Sequence, residues 1–190
     1  MKHTLRNLTY AAMSLALCLV LPFFTGQIPQ IGAMLCPMHL PVLLAGFLCG
    51  PAWAGAVGLL APLARHFLFH MPPLVTALGM TVELGTYGIV SGLLARRQPK
   101  TAAGTYTALI AAMVAGRILW GCAMVVILGL SGSAFTWSAF VAGAVMNAIP
   151  GIILQLILIP LLVSGLRRAK IIAQRKKNRP AKQDGSFVNP

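Results

Sequence analysis

Long apolar runs, separated by short polar stretches, occupy most of the chain up to residue 166. A helix needs about 20 apolar residues to cross roughly 30 Å of hydrocarbon. By this measure the pattern predicts spans at residues 5–24, 38–50, 51–69, 73–95, 102–130 and 135–166. The sequence therefore predicts an all-α integral membrane protein.

The second predicted span is short, and Gly50-Pro51 marks either a kink or a turn between it and the third. With Lys2 and Arg6 in the cytoplasm, six spans place the basic stretch 96–100 and the C-terminal tail there as well. Merging the second and third spans would place that stretch outside, against the positive-inside rule. We therefore predict six transmembrane helices with both termini cytoplasmic.

Composition and charge agree with a membrane location. The chain is 58% hydrophobic and 9% charged, with a mean hydropathy of +0.84, which excludes a soluble domain of this size. Eight of the 15 basic residues lie between Arg167 and Lys182, and others lie at the ends of spans, which favours contact with anionic lipid over nucleic acid. We divide the chain into a membrane domain, residues 1–166, and a basic cytoplasmic tail, residues 167–190, which is partly disordered.

One acidic residue stands out in the membrane domain. Glu83 is the only carboxylate in the first 183 residues, and an ionisable group at the bilayer centre costs at least ~2.5 kcal/mol. Helix rise puts Glu83, Arg117 and Asn147 at similar depths, roughly 15, 20 and 18 Å below the outer ends of three spans. Arg65 lies nearer the outer surface. These positions predict a pocket, open outward, in which Arg117 or Arg65 binds an anionic group.

A second interpretation is that Glu83 and Arg117 form a structural ion pair, with Asn147 bonding between helices. The two interpretations are compatible if Glu83 holds Arg117 in position for a ligand. The outer loop 25–38 is long enough to cover such a site, and His39 follows it directly. Trp120 offers a ring on which a ligand can stack.

Catalytic and metal-binding patterns are absent from the sequence. Cys36 and His39 supply only two ligands, so no metal site is predicted. No nucleophile, metalloprotease or phosphate-loop motif is present, and one membrane carboxylate provides no acid–base couple. The chain is therefore predicted to be neither an enzyme nor a cofactor-binding protein. A proton-coupled secondary transporter that uses Glu83 as a relay is the alternative function.

Several sequence features together resemble one family. They are the pair Ala12 and Ala16 in the first helix, the loop leading into His39-Leu40-Pro41-Val42-Leu43-Leu44-Ala45-Gly46, then Gly50-Pro51 and a glycine-rich third helix. Over residues 1–166 the chain resembles the substrate-binding S components of energy-coupling factor (ECF) vitamin transporters.

The resemblance implies a high-affinity receptor for a vitamin or related micronutrient in a prokaryotic plasma membrane. A membrane scaffold subunit and two cytoplasmic ATPases would energise uptake, and Ala12 and Ala16 would dock on the scaffold. The ligand would lie near the outer leaflet, under the loop after the first helix and between the fourth, fifth and sixth helices. A small anionic vitamin, such as pantothenate or biotin, would suit an arginine.

Overall fold

A computed structural model describes residues 2–25, 35–130, 136 and 149–169 of the chain. Within these residues every regular element is helical and no strand is present. The elements in chain order are α1 (Lys2–Val20), a 3-10 helix (Leu21–Thr25), α2 (His39–Cys49), α3 (Pro51–Phe69), α4 (Leu74–Arg97), α5 (Ala102–Leu130) and α6 (Ile149–Arg168). Asn147 and the tail from residue 170 onward lie outside the described residues.

Five helical segments in the described part are long and apolar enough to cross a membrane. They are Thr4–Phe24, which joins α1 to the 3-10 helix, and the helices α3, α4, α5 and α6. Their outward surfaces carry large apolar side chains, such as Leu5, Val126 and Leu161, each more than half exposed. Such a surface requires lipid as its solvent. The predicted class, an all-helical multi-pass membrane protein, is confirmed for this part of the chain.

Helix α4 packs against α2, α3 and α5. On the side of α3, Pro51 lies against Gly92, and Gly58 lies against the backbone of Leu84. The start of α3 therefore meets the end of α4, so the two helices are antiparallel.

Helix α2 packs on α4 in the opposite sense. His39, the first residue of α2, lies beside Glu83, and Gly46 lies against Gly92 near the end of α4. Since α2 is parallel to α4 and α3 is antiparallel to it, the chain reverses direction between them. The reversal occurs at Gly50, whose φ of 87° is a left-handed conformation that glycine adopts without strain. Gly50-Pro51 is thus a turn between two helices.

This hairpin gives α2 an unusual position. Its 11 residues extend only about 16 Å, and its first residue lies beside Glu83, roughly 14 Å along α4 from Leu74. Helix α2 therefore begins inside the bundle. An end of a helix at membrane depth is tolerated where it is buried in protein or lines a cavity.

The two ends of the bundle differ in charge. Helix α4 ends with Arg96 and Arg97, and α6 ends with Arg167 and Arg168. The Arg167 guanidinium donates a hydrogen bond to the Thr101 carbonyl just before α5, which brings these termini together. We call this the basic end of the bundle.

Candidate functional site

Glu83 lies in the interior of the bundle, on the face of α4 between α2 and α5. Its side chain is 2% exposed. Oε1 lies 3.2 Å from Nε2 of His39 on α2 and 3.1 Å from Nη1 of Arg117 on α5. The similar depths predicted for Glu83 and Arg117 thus correspond to an ion pair that joins two helices. A buried carboxylate is stabilised by such a partner.

His39 reaches this carboxylate because α2 starts at the same depth. Its backbone N–H donates to the Cys36 carbonyl at 3.0 Å, closing the turn that opens the helix. Cys36 adopts a φ of 48°, and the N-cap residue Met38 makes no side-chain capping hydrogen bond. The first turn of α2, with the positive end of its helix dipole, is therefore directed into the bundle beside Glu83.

Tyr87 completes the cluster, and the sequence analysis did not single it out. It follows Glu83 by one helical turn, its side chain is buried, and its ring packs edge-on against His39 at 5.2 Å between centroids. A side chain at Gly116 would collide with this ring, so the glycine beside Arg117 makes room for it. The sequence feature that could have indicated Tyr87 is its spacing of four residues from Glu83, which places the two side chains on one face of a helix.

Arg117 is the member of the cluster with capacity for a further contact. Its side chain is 15% exposed, and its second terminal nitrogen lies 3.9 Å from the Cys36 sulfur. Among the described residues, Nε of Arg117 and Nδ1 of His39 are buried without a hydrogen-bond partner. Buried donors normally have partners, so these two atoms are candidates for contact with a ligand.

Trp120 lies one turn along α5 from Arg117. Its indole Nε1 and the Met124 sulfur pack against the backbone of Gly79 on α4. Gly79 precedes Glu83 by four residues, so Trp120 lies on the side of the cluster away from the basic end. The cluster and Trp120 together are called the Glu83 site below.

Arg65 lies elsewhere. Its guanidinium donates a hydrogen bond to the Leu19 carbonyl at the end of α1 and packs over the rings of Phe23 and Phe69. The side chain is buried by these contacts, which hold the end of α1 against α3. Of the two arginines predicted to bind an anion, the fold brings only Arg117 to Glu83.

The other predicted residues also have distinct positions. Ala12 and Ala16 lie on the exposed face of α1, whereas Ala11, Ser14 and Cys18 on its other face are buried. In the described part of the chain, no group of three or more His, Cys, Asp or Glu side chains is arranged to hold a metal ion.

Known proteins relate the chain to one family. Neither the curated proteins nor the solved structures contain a match. A family model, described as ECF transporter, substrate-specific component, matches residues 6–163, which is well over half of the chain. The family resemblance noted in the sequence is therefore confirmed, and the chain belongs to the substrate-specific components of ECF transporters.

Proposed function

We propose that the chain captures a small anionic vitamin or related micronutrient at the Glu83 site and delivers it for uptake. The observation that carries this proposal is the partly buried Arg117. Its guanidinium is paired with Glu83, and among the described residues its buried Nε has no hydrogen-bond partner. A guanidinium can contact a carboxylate or phosphate through several N–H groups at once, so one ion pair does not exhaust it.

The charge balance of the Glu83 site favours an anion. Glu83 contributes one negative charge, and Arg117 offsets it. The N-terminal turn of α2 adds a positive dipole end, and His39 adds a ring nitrogen, Nδ1, that has no hydrogen-bond partner among the described residues. Helix ends that begin inside a membrane bundle are a common device for binding anionic substrates. Asn147, predicted for this site, lies outside the described residues and remains part of the proposal.

Each residue has a proposed part in binding. Arg117 and His39 contact the anionic group, while Glu83 holds both of them in place. Trp120 stacks on the remainder of the ligand from the side away from the basic end. Arg65, with its guanidinium occupied at α1, stabilises the fold and does not contact ligand.

Substitution of Arg117 tests this assignment. Arg117→Met is expected to weaken binding of the anionic vitamin by more than about tenfold, because a charge-assisted hydrogen bond contributes roughly 1.5–3 kcal/mol. The ligand is first identified by mass spectrometry of small molecules released from the chain purified in mild detergent. Affinity is then measured for pantothenate and biotin and for their uncharged relatives pantothenol and biotinamide.

Two further variants make the result specific. Arg97→Gln removes an exposed arginine at the basic end and is expected to leave affinity unchanged. Arg65→Met is expected to lower thermal stability while binding persists. The assignment to Arg117 is contradicted if Arg65→Met abolishes binding and Arg117→Met does not. The anionic nature of the ligand is contradicted if the uncharged relatives bind as well as the acids.

We further propose six spans with both termini in the cytoplasm of a prokaryotic cell, and a basic tail at residues 167–190. The positions of the helix ends support this topology. The end of α1 contacts Arg65 near the end of α3, so α1 begins at the basic end, where α6 terminates. Basic residues at both termini then lie on one side of the membrane, as the positive-inside rule requires.

Energy for uptake is proposed to come from a membrane scaffold subunit and two ATPases, with Ala12 and Ala16 docking on the scaffold. Small exposed side chains let another helix approach closely in lipid. In vesicles, Ala12→Leu/Ala16→Leu should abolish ATP-driven uptake while binding to the isolated chain persists. Ala52→Leu/Ala56→Leu, an exposed alanine pair of the same spacing on α3, is the matched control and should retain uptake.

The same vesicles distinguish the alternative transport mechanism. The chain alone is expected to accumulate no ligand under a proton gradient, because the Glu83 carboxylate is engaged by Arg117 and His39. Accumulation by the chain alone would instead establish a secondary transporter that uses Glu83 as a relay.

A further inference from the structure

A cavity of about 280 Å³ opens at the basic end of the bundle, away from the Glu83 site. It lies between the residues that precede and begin α5 and the last turns of α6. Lys100, Arg167 and Arg168 line it together with the hydroxyl-bearing residues Thr105 and Ser164. Three basic side chains and two hydroxyl groups thus surround one space at a helix end.

Of the acidic residues of the chain, only Glu83 belongs to the described part, and it does not line this cavity. The sequence has two, Glu83 and Asp184. Glu83 is paired with Arg117 and lies roughly 21 Å along α4 from the basic end. Asp184 lies outside the described residues. Among the described residues, the cavity therefore has no carboxylate in its lining.

Arg167 is arranged to receive an acceptor. One terminal nitrogen donates to the Thr101 carbonyl at 3.2 Å, which holds the guanidinium against the start of α5. Nε is buried and has no hydrogen-bond partner among the described residues. A buried cationic N–H group without a partner is stabilised by a hydrogen bond to an anionic oxygen, and a phosphate group has several such oxygens.

We propose that this cavity binds the phosphate group of an anionic phospholipid, with Arg167 as the central contact. The cavity lies at the ends of two candidate spans, which is the level of the lipid headgroups, and basic pockets between transmembrane helices are suited to such headgroups. Lys100 and Arg168 are exposed at its rim, where they meet the surface of the membrane. The proposal is independent of the vitamin, of the Glu83 site and of the partner subunits.

Native mass spectrometry of the full chain in mild detergent tests the proposal. Phosphatidylglycerol, phosphatidylcholine and inorganic phosphate are supplied separately at equal concentration. We expect bound phosphatidylglycerol to exceed phosphatidylcholine by about tenfold, since each basic residue near the surface favours anionic lipid. Arg167→Gln should abolish this preference, whereas Arg97→Gln, an exposed arginine at the same end that does not line the cavity, should retain it.

Several results would overturn the assignment. Equal binding of the two lipids excludes recognition of the anionic headgroup, and an equal loss in Arg97→Gln indicates diffuse attraction to the basic end. Inorganic phosphate that displaces the lipid at equal concentration indicates a site for a free anion. If Arg167→Gln fails to fold, Arg168→Gln is measured instead, because Arg168 lies at the rim of the same cavity. It should reduce the preference for phosphatidylglycerol over phosphatidylcholine severalfold.

Discussion

Glu83→Leu is expected to lower the free energy of unfolding by about 3–5 kcal/mol, the typical result of breaking a buried ion pair by removing one partner. The substitution leaves the Arg117 guanidinium, which is 15% exposed, without the carboxylate 3.1 Å away. It also removes the group that faces His39 and Tyr87. Unfolding of the purified chain in detergent, by heat or by titration with a denaturing detergent, measures the effect.

A double variant separates the structural part of Glu83 from its part in binding. Removing both charges, in Glu83→Leu/Arg117→Met, should restore much of the stability lost in either single variant, because no unpaired charge then stays buried. Ligand binding should remain lost in the double variant, since the anion contact is missing. If Glu83→Leu has the same free energy of unfolding as the control Arg97→Gln, the Glu83 ion pair does not stabilise the bundle. If the double variant binds ligand, Arg117 is purely structural.

The sequence predicted much of the helical framework from apolar length alone. The described helices α3, α4 and α5 begin and end within a few residues of the predicted spans. Apolar runs are reliable in this respect because every backbone group in lipid must be bonded within its own segment. The role of Gly50-Pro51 was ambiguous in the sequence, since a kink and a turn use the same residues. Only the opposite directions of α2 and α3 against α4 distinguish them.

The Glu83 site was predicted in part. Depth along the spans relates Glu83 to Arg117, because helix rise is constant and each span crosses the same thickness. The same estimate does not apply to His39, which lies at the start of a short helix that begins inside the bundle. Its proximity to Glu83 depends on where α2 begins. Tyr87 was missed because an aromatic residue in a span is equally typical of packing, and only the position of α2 brings its ring against His39.

Arg65 illustrates a different limit of sequence analysis. Its position near the outer end of the third span was estimated from the sequence, but the direction of its side chain depends on which helix lies beside it. The fold places α1 there, and the Leu19 carbonyl accepts the hydrogen bond that a ligand was predicted to accept. Neighbour relations among helices of similar composition have little signature in the sequence, because lipid-facing and helix-facing surfaces are both apolar.

Gly88→Leu is expected to prevent correct packing of α3 against α4, and Gly88→Ala to lower stability by about 1–3 kcal/mol, the usual range for overpacking. A Cβ atom at Gly88 would collide with the Ala54 carbonyl oxygen and lie 2.8 Å from the backbone nitrogen of Gly55. Since these atoms belong to backbone, the strain is relieved only by separating the helices. Glu83 lies five residues away on α4, so the separation should weaken ligand binding as well.

Two glycines in the same bundle provide matched controls for this substitution. A Cβ atom at Gly129 on α5 or at Gly165 on α6 would meet nothing within 4 Å among the described residues. Alanine at either position should be neutral or stabilising by up to about 1 kcal/mol, because alanine has the higher helix propensity. Thermal unfolding of the three alanine variants in one detergent compares them directly. If Gly88→Ala is as stable as Gly129→Ala, the backbones of α3 and α4 do not pack closely at this position. The close packing of helices that holds Glu83 beside Arg117 would then be contradicted as well.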